Sequence, residues 1–266
     1  MMIIVFIIIL LAAVWFIKCM PNPGCKRARS YAGISFAHRG LHSENCAENS
    51  LEAFDKACHA GVGIELDVQF TKDKQLVVFH DNDLSRMTGK KALVCDLTLE
   101  ELRLLRLVTD GSQIPTFDEV LSCVNGRVPL LVEIKSCRDI KQLTVAAAEV
   151  LRGYKGSYVV ESFNPLCLLH LRKKFPEMIR GQLVTSRKDY KDQSSIVAFL
   201  LSGLMLNFLA RPDFIAYDHR APVTPSLWLN NKLLRTPMAT WTITDKELYL
   251  DLISRGEMPI FESFQP

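Results

Sequence analysis

The chain has 266 residues, of which 48% are apolar and 23% are charged, and its formal net charge is +3. These values are ordinary for a globular protein and exclude a disordered chain, a collagen-like repeat and a multi-span membrane protein. Thirty-two basic residues against twenty-nine acidic ones do not give the strong positive charge of a nucleic-acid binder. We therefore expect one globular domain with a sizeable core and no nucleic-acid partner.

The first seventeen residues contain no charged side chain, and Lys18 follows them. As a helix rising 1.5 Å per residue they would measure about 26 Å, just short of the ~30 Å hydrocarbon core of a bilayer. A cleaved signal peptide would have basic residues in front and small residues at its cleavage site, and this stretch has neither. We predict a retained transmembrane helix over residues 1–17.

Basic residues follow the apolar stretch and none precedes it: Lys18, Lys26, Arg27 and Arg29. The positive-inside tendency places the domain that follows in the cytoplasm. The eight cysteines show no metal-binding spacing, which fits a reducing compartment, although an even number leaves disulfides open. We predict a single-pass protein of the cell membrane with a cytoplasmic domain.

Residues 18–32 combine prolines, a glycine and basic residues without periodicity, which predicts a basic linker before a domain over residues 33–266. In that domain short β-rich runs alternate with helical patterns. The predicted strands are 34–38, 63–69, 130–134, 158–162, 179–184, 214–217, 238–242 and 259–262. The predicted helices are 49–60, 139–152, 165–174, 194–209, 224–234 and 245–255. This alternation predicts a TIM (β/α)₈ barrel.

A ninth β-rich run, 76–80, follows the second strand after five residues. A parallel crossover needs about a dozen residues, so this run is predicted to return antiparallel as a hairpin. The hairpin would bring His80 to the same end of the barrel as Asp67. The stretch 81–127, with predicted helices at 98–105 and 116–124, is expected to cap that end.

Polar residues recur where the predicted strands end, which is where barrel enzymes place reactive groups. They are His38, Arg39, Glu65, Asp67, His80, Glu133 and Lys135. Residues two apart on a strand share a face, so three carboxylates can converge in the mouth. Their mutual repulsion predicts a hard divalent cation, Mg²⁺ or Ca²⁺. The alternative is that these acids pair with Arg39 or Lys135.

His38 and His80 titrate near neutral pH, which suits a general base and a general acid, although a histidine can also serve packing. Arg39 offers a bidentate fork and Lys135 a point charge, as expected where a phosphate is bound. Arg39 could instead pair with Glu48.

Together these motifs resemble the glycerophosphodiester phosphodiesterase family. The matching segments are AHRG at 37–40, ENS at 48–50, GIELDVQFTKD at 63–73, VVFHD at 77–81, IPTFDEVL at 114–121, LVEIK at 131–135, ESFNP at 161–165 and TWTITD at 240–245. The resemblance implies a TIM barrel that hydrolyses glycerophosphodiesters to glycerol 3-phosphate and an alcohol with a divalent cation.

The resemblance also implies residue roles. The implied metal ligands are Glu65, Asp67 and Glu133, and the implied catalytic histidines are His38 and His80. Arg39 and Lys135 match the phosphate contacts, and Trp241 matches an aromatic residue that lines the glycerol pocket. Glu48 could face the mouth, and Asn49 with Glu52 matches a helix-capping pair. Glu262 stands where the family usually has aspartate.

In the implied mechanism one histidine takes a proton from the glycerol 2-hydroxyl, which attacks phosphorus, and the other protonates the leaving alcohol. Two alternatives keep the same barrel. One is a membrane-bound lysophospholipase D that acts on lysophospholipids, and the other is an inactive barrel that binds phospholipid head groups.

Residues 196–210 form a charge-free run of about 22 Å at helical rise, too short for a comfortable span. The run is apolar nearly all round, whereas a barrel helix normally has a polar outer stripe. We expect it either to contact membrane lipid beside the anchor or to be a core or dimer-interface helix.

Overall fold

A computed structural model of the chain describes residues 2–23 and 25–266, without the side chains of Cys25 and Lys26. Met1 of the predicted anchor, Gly24 of the predicted linker and the Lys26 side chain used in the topology prediction therefore lie outside the described residues.

Across the described residues the strands form a closed barrel. They are β1 Phe36–Ala37, β2 Gly63–Phe70, β3 Leu76–Val78, β4 Leu130–Ile134, β5 Tyr158–Ser162, β6 Arg180–Val184, β7 Phe214–Asp218, β8 Met238–Ile243 and β9 Met258–Phe261. Their order is β1-β9-β8-β7-β6-β5-β4-β2-β3, and a parallel pairing of β1 with β2 closes the ring. All barrel pairings are parallel, so the predicted TIM barrel is confirmed.

The antiparallel hairpin is also confirmed, because β3 pairs with β2 in opposite direction, Val68 against Val78. The strand ends earlier than the predicted 76–80. The side-chain amide of Gln69 donates to the carbonyl oxygens of Phe79 (2.6 Å) and Asp81 (2.8 Å), which bends the chain away from the sheet.

The inward side chains of the barrel form two layers. The lower layer is apolar and includes Leu131, Val159 and Phe214, whereas the next inward position on β4 is Glu133. Outward side chains of the same strands, such as Val132, pack against the helices. The barrel is therefore a filled core with acidic residues above it, toward the carboxyl ends of the strands.

The helices, in chain order, are α1 Met2–Cys19, α2 Leu51–Ala60, α3 Ser85–Thr88, α4 Leu99–Arg103, α5 Phe117–Val124, α6 Ile140–Gly153, α7 Pro165–Lys174, α8 Ser195–Ser202, α9 Asn207–Ala210, α10 Pro225–Trp228 and α11 Lys246–Ser254. Short 3₁₀ segments occur at Cys25–Tyr31, Val94–Asp96 and Arg187–Asp189, and a π-helical turn at Leu229–Leu233.

The predicted linker 18–32 is corrected by the structure. Its first residues extend α1, and Cys25–Tyr31 is a 3₁₀ helix. Ala28 and Tyr31 are buried in the lower layer of the barrel. The segment thus packs beneath the barrel because its small and aromatic side chains fill the space between the amino ends of the strands.

The predicted helix 194–209 is corrected to two helices, α8 and α9. The chain breaks after Ser202, and Leu204 adopts a left-handed backbone with φ +52° and is buried. The first part keeps apolar side chains on the surface, with Ile196 73% and Phe199 53% exposed, whereas Asn207 and Ala210 are buried. The second half therefore belongs to the core. The predicted helix 224–234 likewise becomes α10 and the π-helical turn.

The stretch 81–127 lies over the barrel mouth as predicted. It has its own apolar cluster, which includes Leu84, Met87 and Leu102. The carboxylate of Asp110 accepts a hydrogen bond from the Ala47 backbone N (2.7 Å) and so fixes this cap to the loop after β1.

Helix α1 is long and apolar enough to cross a membrane, a property that a signal sequence shares. Its side chains are mostly exposed, and its last residue is docked on the domain. The Cys19 carbonyl accepts hydrogen bonds from the side-chain amides of Asn207 (3.1 Å) and Asn230 (3.2 Å). The end of α1 is thereby fixed to the barrel.

Candidate active site

Acidic side chains meet inside the barrel near the carboxyl ends of β2 and β4. Asp67 pairs in register with Glu133 on the neighbouring strand, and Glu65 lies two residues earlier on β2. Carboxylate oxygens of these residues lie within 4.8 Å of one another, and all three side chains are buried. The structure thus brings together the acids that the sequence predicts as metal ligands.

Two cations, Lys135 and Arg39, lie against this cluster. The Lys135 Nζ is 3.2 Å from Asp67 Oδ1 and 3.0 Å from Glu133 Oε1. Burial nevertheless raises the pKa of Glu133 to about 7. Burial and the neighbouring carboxylates raise the pKa of Glu65 well above its ordinary value. In Asp67, burial is outweighed by Lys135, His80 and Arg39, which hold the pKa below its ordinary value.

The raised pKa values of Glu65 and Glu133 show that burial makes negative charge costly there even with Lys135 and Arg39 nearby. A metal ion binds deprotonated carboxylates, so it would compensate the negative charge that burial makes costly on Glu65 and Glu133. The donor set consists of oxygen atoms, which suits a hard divalent cation such as Mg²⁺ or Ca²⁺. The cluster therefore fits the cation that the sequence predicts.

Both predicted histidines stand at the mouth with one ring nitrogen bound to a carboxylate. The His38 Nδ1 lies 2.7 Å from Glu262 Oε2, and the His80 Nδ1 lies 2.7 Å from Asp81 Oδ1. The His42 Nε2 is 3.8 Å from the same Glu262 oxygen. The hydrogen bond from His38, with the contact from His42, holds the pKa of Glu262 well below its ordinary value.

A carboxylate on Nδ1 fixes the ring orientation and favours the tautomer with its hydrogen on that nitrogen. The Nε2 of His38 and of His80 is then the atom available for proton transfer. Burial lowers the pKa of His80, which favours its neutral form. Asp81 was not singled out from the sequence, although it directly follows His80 in the VVFHD segment.

Arg39 is held by a network of acids, as the pairing alternative predicted. Its Nη1 donates to Glu48 Oε1 (2.8 Å), and its backbone N donates to Glu65 Oε2 (2.9 Å). The Arg86 guanidinium of the cap binds both Glu48 (2.6 Å) and Asp81 (2.6 Å). Sequence reasoning missed Arg86 because the contact depends on how the cap folds back.

The Arg39 Nε has no hydrogen-bond partner among the described residues and lies 3.9 Å from Asp67 Oδ2. The tight turn after β1 creates this position, with φ +55° at Arg39 and φ +82° at Gly40. A Cβ at Gly40 would lie 2.9 Å from the Cβ of Ala53 on α2, so the turn requires glycine. The guanidinium is thus mostly buried, and its Nε is available to a ligand.

The predicted capping pair of Asn49 and Glu52 is corrected. The N-cap of α2 is Ser50, whose hydroxyl accepts from the Ala53 backbone N (3.1 Å). Asn49 adopts a left-handed backbone with φ +54°, which Asn tolerates better than most residues. Its side-chain amide instead donates to Asp67 Oδ2 (2.9 Å). Asn49 therefore supports the acidic cluster.

A further acid, Glu161 on β5, pairs in register with Glu133 and is buried. Its Oε2 has no hydrogen-bond partner among the described residues. Burial, followed by the nearby carboxylates, raises its pKa well above the ordinary value. The sequence signal was present, because Glu161 occupies in the YVVES strand the inward position that Glu133 occupies in β4.

Trp241 on β8 lies at the mouth, partly exposed. Its ring packs edge-on against Phe163 at a centroid distance of 5.8 Å. Its indole nitrogen is buried and has no hydrogen-bond partner among the described residues. The position is compatible with an aromatic wall for a small polyol, and the indole N–H is available to a ligand.

Comparison with known proteins agrees with this arrangement. The model of the glycerophosphoryl diester phosphodiesterase family matches residues 38–232. A glycerophosphodiester phosphodiesterase of Caldanaerobacter subterraneus subsp. tengcongensis is 36% identical over 162 residues, which are 56% of this chain and 66% of that protein. The matches to the first curated relatives span 66%, 62% and 43% of their lengths, which is less than two thirds in each case.

Solved structures agree as well. The crystal structure of a glycerophosphodiester phosphodiesterase from Thermotoga maritima is 30% identical with a TM-score of 0.65 and covers 86% of this chain and 93% of its own. An Oleispira antarctica phosphodiesterase in complex with the product sn-glycerol-3-phosphate is 24% identical with a TM-score of 0.72. The match covers 90% of this chain and 96% of that one. Because the identity to the Oleispira antarctica protein is only 24%, this similarity supports the fold alone.

Proposed function

The chain belongs to the glycerophosphoryl diester phosphodiesterase family, and from this membership we propose that it hydrolyses glycerophosphodiesters to sn-glycerol 3-phosphate and an alcohol. The observation that carries the proposal is the acidic cluster of Glu65, Asp67 and Glu133 at a barrel mouth that also holds His38 and His80. The phosphodiesterase of Oleispira antarctica, which shares this fold, is described with sn-glycerol-3-phosphate as its product.

A divalent cation, Mg²⁺ or Ca²⁺, would be held by Glu65, Asp67 and Glu133. When bound it offsets negative charge on the phosphoryl oxygens. Lys135 and Asn49 position the ligands, since both contact Asp67, and Lys135 is also proposed as a phosphate contact together with Arg39. Arg39 is the phosphate contact, because its Nε retains a free donor inside the mouth.

His38 and His80 transfer the protons. One Nε2 takes the proton of the glycerol 2-hydroxyl, whose oxygen attacks phosphorus and gives a cyclic phosphate. The Nε2 of the other histidine donates a proton to the leaving alcohol. Water then opens the ring with the two roles exchanged. Glu262 and Asp81 hold the rings by their Nδ1 atoms throughout.

Trp241 would line the glycerol pocket, with its unpartnered indole N–H directed to a hydroxyl. Glu48 has a supporting role, because it links Arg39 to Arg86 of the cap. Its carboxylate is thereby engaged on the protein and orients the phosphate contact instead of meeting substrate.

The test is incubation of the purified full-length protein with glycerophosphocholine and glycerophosphoethanolamine in Mg²⁺ or Ca²⁺. We expect release of choline or ethanolamine with formation of glycerol 3-phosphate. Binding of phospholipid head groups without turnover in either metal would refute the proposal and favour the inactive binding barrel. A product other than glycerol 3-phosphate would refute the stated bond cleavage.

For location, we propose a single-pass protein of the cell membrane that is anchored by residues 1–17, with the domain 33–266 in the cytoplasm. The cysteines whose side chains are described are free thiols, which suits that compartment. Protease added to intact cells should leave the domain uncut. Digestion of the domain would reverse the topology, and recovery of a protein lacking its first residues would indicate a cleaved signal.

A further inference from the structure

Large apolar side chains are exposed around the barrel mouth. Outside α1, most of the large apolar side chains that the described residues expose lie at this end of the barrel. Six of them are Leu93, Leu104 and Val108 of the cap, and Ile196, Phe199 and Val223, which follow the carboxyl ends of β6 and β7. We call these six residues the apolar rim. Leu104 is 79% exposed and Ile196 73%, so the rim is open to a partner.

Basic side chains lie beside the apolar rim in the same segments of the chain. They are Lys90 and Lys91 before Leu93, Arg106 between Leu104 and Val108, and Arg220 before Val223. All four basic residues are exposed, and within the described part of the chain none of them forms an ion pair. Insertion of apolar side chains and attraction of Lys and Arg to anionic lipids together bind proteins to a membrane surface. The rim therefore has the composition of a surface that fits an anionic bilayer.

Helix α1 leaves the domain on the same side as the apolar rim. Just beyond its last residue, the Asn22 backbone N donates to the Pro212 carbonyl (2.8 Å), close to the amino end of β7. Trp15, one turn before the end of α1, borders the same cavity as Val184 and Tyr217, which pair near the carboxyl ends of β6 and β7. Followed backward from its last residue, the helix therefore runs toward the mouth. Residues 2–14 continue beyond Trp15 for about 20 Å at helical rise, and their side chains are exposed.

Buried polar contacts fix the direction of α1 relative to the barrel. The Cys19 carbonyl accepts hydrogen bonds from Asn207 and Asn230, and both of these side chains are buried. The side-chain amide of Asn22 donates to Oδ1 of Asp213 (2.7 Å), whose carboxylate is also buried. Loss of hydrogen bonds to buried polar groups is costly, so the end of α1 stays in place. A membrane that holds α1 therefore also sets the orientation of the barrel.

The opposite end of the barrel carries a smaller surface of the same kind. Leu233 is 63% exposed between Lys232 and Arg235, shortly before the amino end of β8. Composition alone therefore does not select the end that faces a bilayer. The direction of α1 selects the mouth, because the helix and the apolar rim can reach the same membrane only on that side.

From these observations we propose that the apolar rim docks on the bilayer that holds α1, so that the barrel mouth faces the membrane surface. Lys90, Lys91, Arg106 and Arg220 then lie against anionic head groups. The inference goes beyond the proposed reaction and uses the proposed anchoring by residues 1–17. Because α1 tethers the domain, docking of the rim is intramolecular and requires only weak contacts.

Photocrosslinking of the full-length protein tests this orientation. The photoreactive residue p-benzoylphenylalanine is placed at Leu104, Ile196, Leu233 or Leu250, which are all exposed apolar positions. Each protein is reconstituted in nanodiscs of phosphatidylglycerol and phosphatidylcholine, and lipid adducts are measured by mass spectrometry after irradiation. Adducts at Leu104 and Ile196 should exceed those at Leu233 and Leu250 at least about fivefold, because only the first two positions belong to the apolar rim.

Charge reversal tests the contribution of the basic residues. In the protein with the probe at Leu104, Lys91→Glu should lower the yield of lipid adducts about threefold, and nanodiscs of phosphatidylcholine alone should have a similar effect. Lys155→Glu is the matched control, because Lys155 is an exposed lysine before the amino end of β5, at the far end of the barrel. This variant should leave the yield unchanged.

Three results would overturn the inference: equal adduct yields at all four positions, a higher yield at Leu233 than at Leu104, or crosslinks from the rim to a second copy of the chain in place of lipid. Choline release from glycerophosphocholine, measured on the same samples, reports separately on the proposed reaction. A further probe at Val5 of α1 reports on the anchoring. Lipid adducts at Val5 without adducts at the rim would refute docking alone, and their absence at Val5 would refute the anchoring and the inference together.

Discussion

The two sides of the barrel mouth are built from different chemistry. The β2 and β4 side places three clustered carboxylates in the barrel, those of Glu65, Asp67 and Glu133, and Lys135 contacts the last two. Beside the carboxyl ends of β6 and β7 lies a mainly apolar cavity, lined by Val184 and Tyr217 of the cluster outside the barrel wall. The difference teaches that the charged groups that could bind a cation and a phosphate are gathered on one side of the mouth.

The polar side should carry the largest effects. Glu133→Gln or Asp67→Asn removes a charged oxygen ligand from the proposed cation, and several kcal/mol of lost charge stabilisation correspond to a rate decrease on the order of a thousandfold. EDTA should have a similar effect on the unaltered protein, reversed by Mg²⁺ or Ca²⁺. Choline release from glycerophosphocholine measures both.

A matched control exists at the opposite end of the barrel. Glu257 is also a buried acid, and its carboxylate accepts from the Thr240 hydroxyl (2.7 Å) near the amino ends of the strands. Glu257→Gln should retain activity within about threefold, because an amide oxygen still accepts that hydrogen bond. Full activity of Glu133→Gln, or after EDTA, would contradict the metal assignment.

The next largest effects are expected at the histidines. His38→Ala and His80→Ala should each lower kcat by the ~10²–10⁴-fold that a lost general acid or base typically costs. Since both act in one proton-transfer sequence, the double variant should be little slower than the slower single variant. Steady-state kinetics on glycerophosphocholine checks this. Losses that multiply in the double variant would indicate independent supporting roles.

The seam where β9 meets β1 should give smaller effects. Glu262 positions the His38 ring by its Nδ1, so Glu262→Gln should lower kcat about tenfold to a hundredfold, with KM nearly unchanged. Glu262→Asp, which restores the family's usual residue, should recover most of the loss. Equal kcat in wild type and Glu262→Gln would show that the contact is without catalytic consequence.

The same residue predicts a pH dependence of stability. Its pKa is held below the ordinary value, so the Glu262 contribution to the free energy of unfolding is complete above about pH 4.3 and is lost as the pH falls further. The difference in melting temperature between wild type and Glu262→Gln should therefore stay nearly constant between about pH 7 and pH 5 and shrink as the pH falls below about 4.

Comparison of sequence and structure shows which features are locally encoded. The bounds of β4, β5 and α7 are as predicted, because apolar runs and flanking turn residues define them. The break between α8 and α9 was not predicted, since the run contains no proline and its second half is held by contacts with the distant end of α1.

The active-site residues also divide into those that the local sequence predicts and those that depend on contacts between distant segments. The acids on β2 and β4 were predictable because an acid inside an apolar strand is costly without a partner. The pairing of His38 with Glu262 depends on barrel closure between residues 224 positions apart, which periodicity does not encode. Barrel closure and cap folding account for the contacts of Glu262 and Arg86, whereas Asp81 and Glu161 were local signals that were missed.

The smallest effects should distinguish neighbours in the ENS segment. Asn49→Ala removes the amide that binds Asp67, so it should weaken metal affinity about tenfold. Ser50→Ala removes the N-cap of α2 and should lower the free energy of unfolding by about 1 kcal/mol without a comparable change in metal affinity. Calorimetric metal titration and chemical denaturation of both variants check this separation. If Ser50→Ala weakened metal binding as much as Asn49→Ala, the segment would act through the position of α2, and the direct amide contact would not be needed to explain the polar side of the mouth.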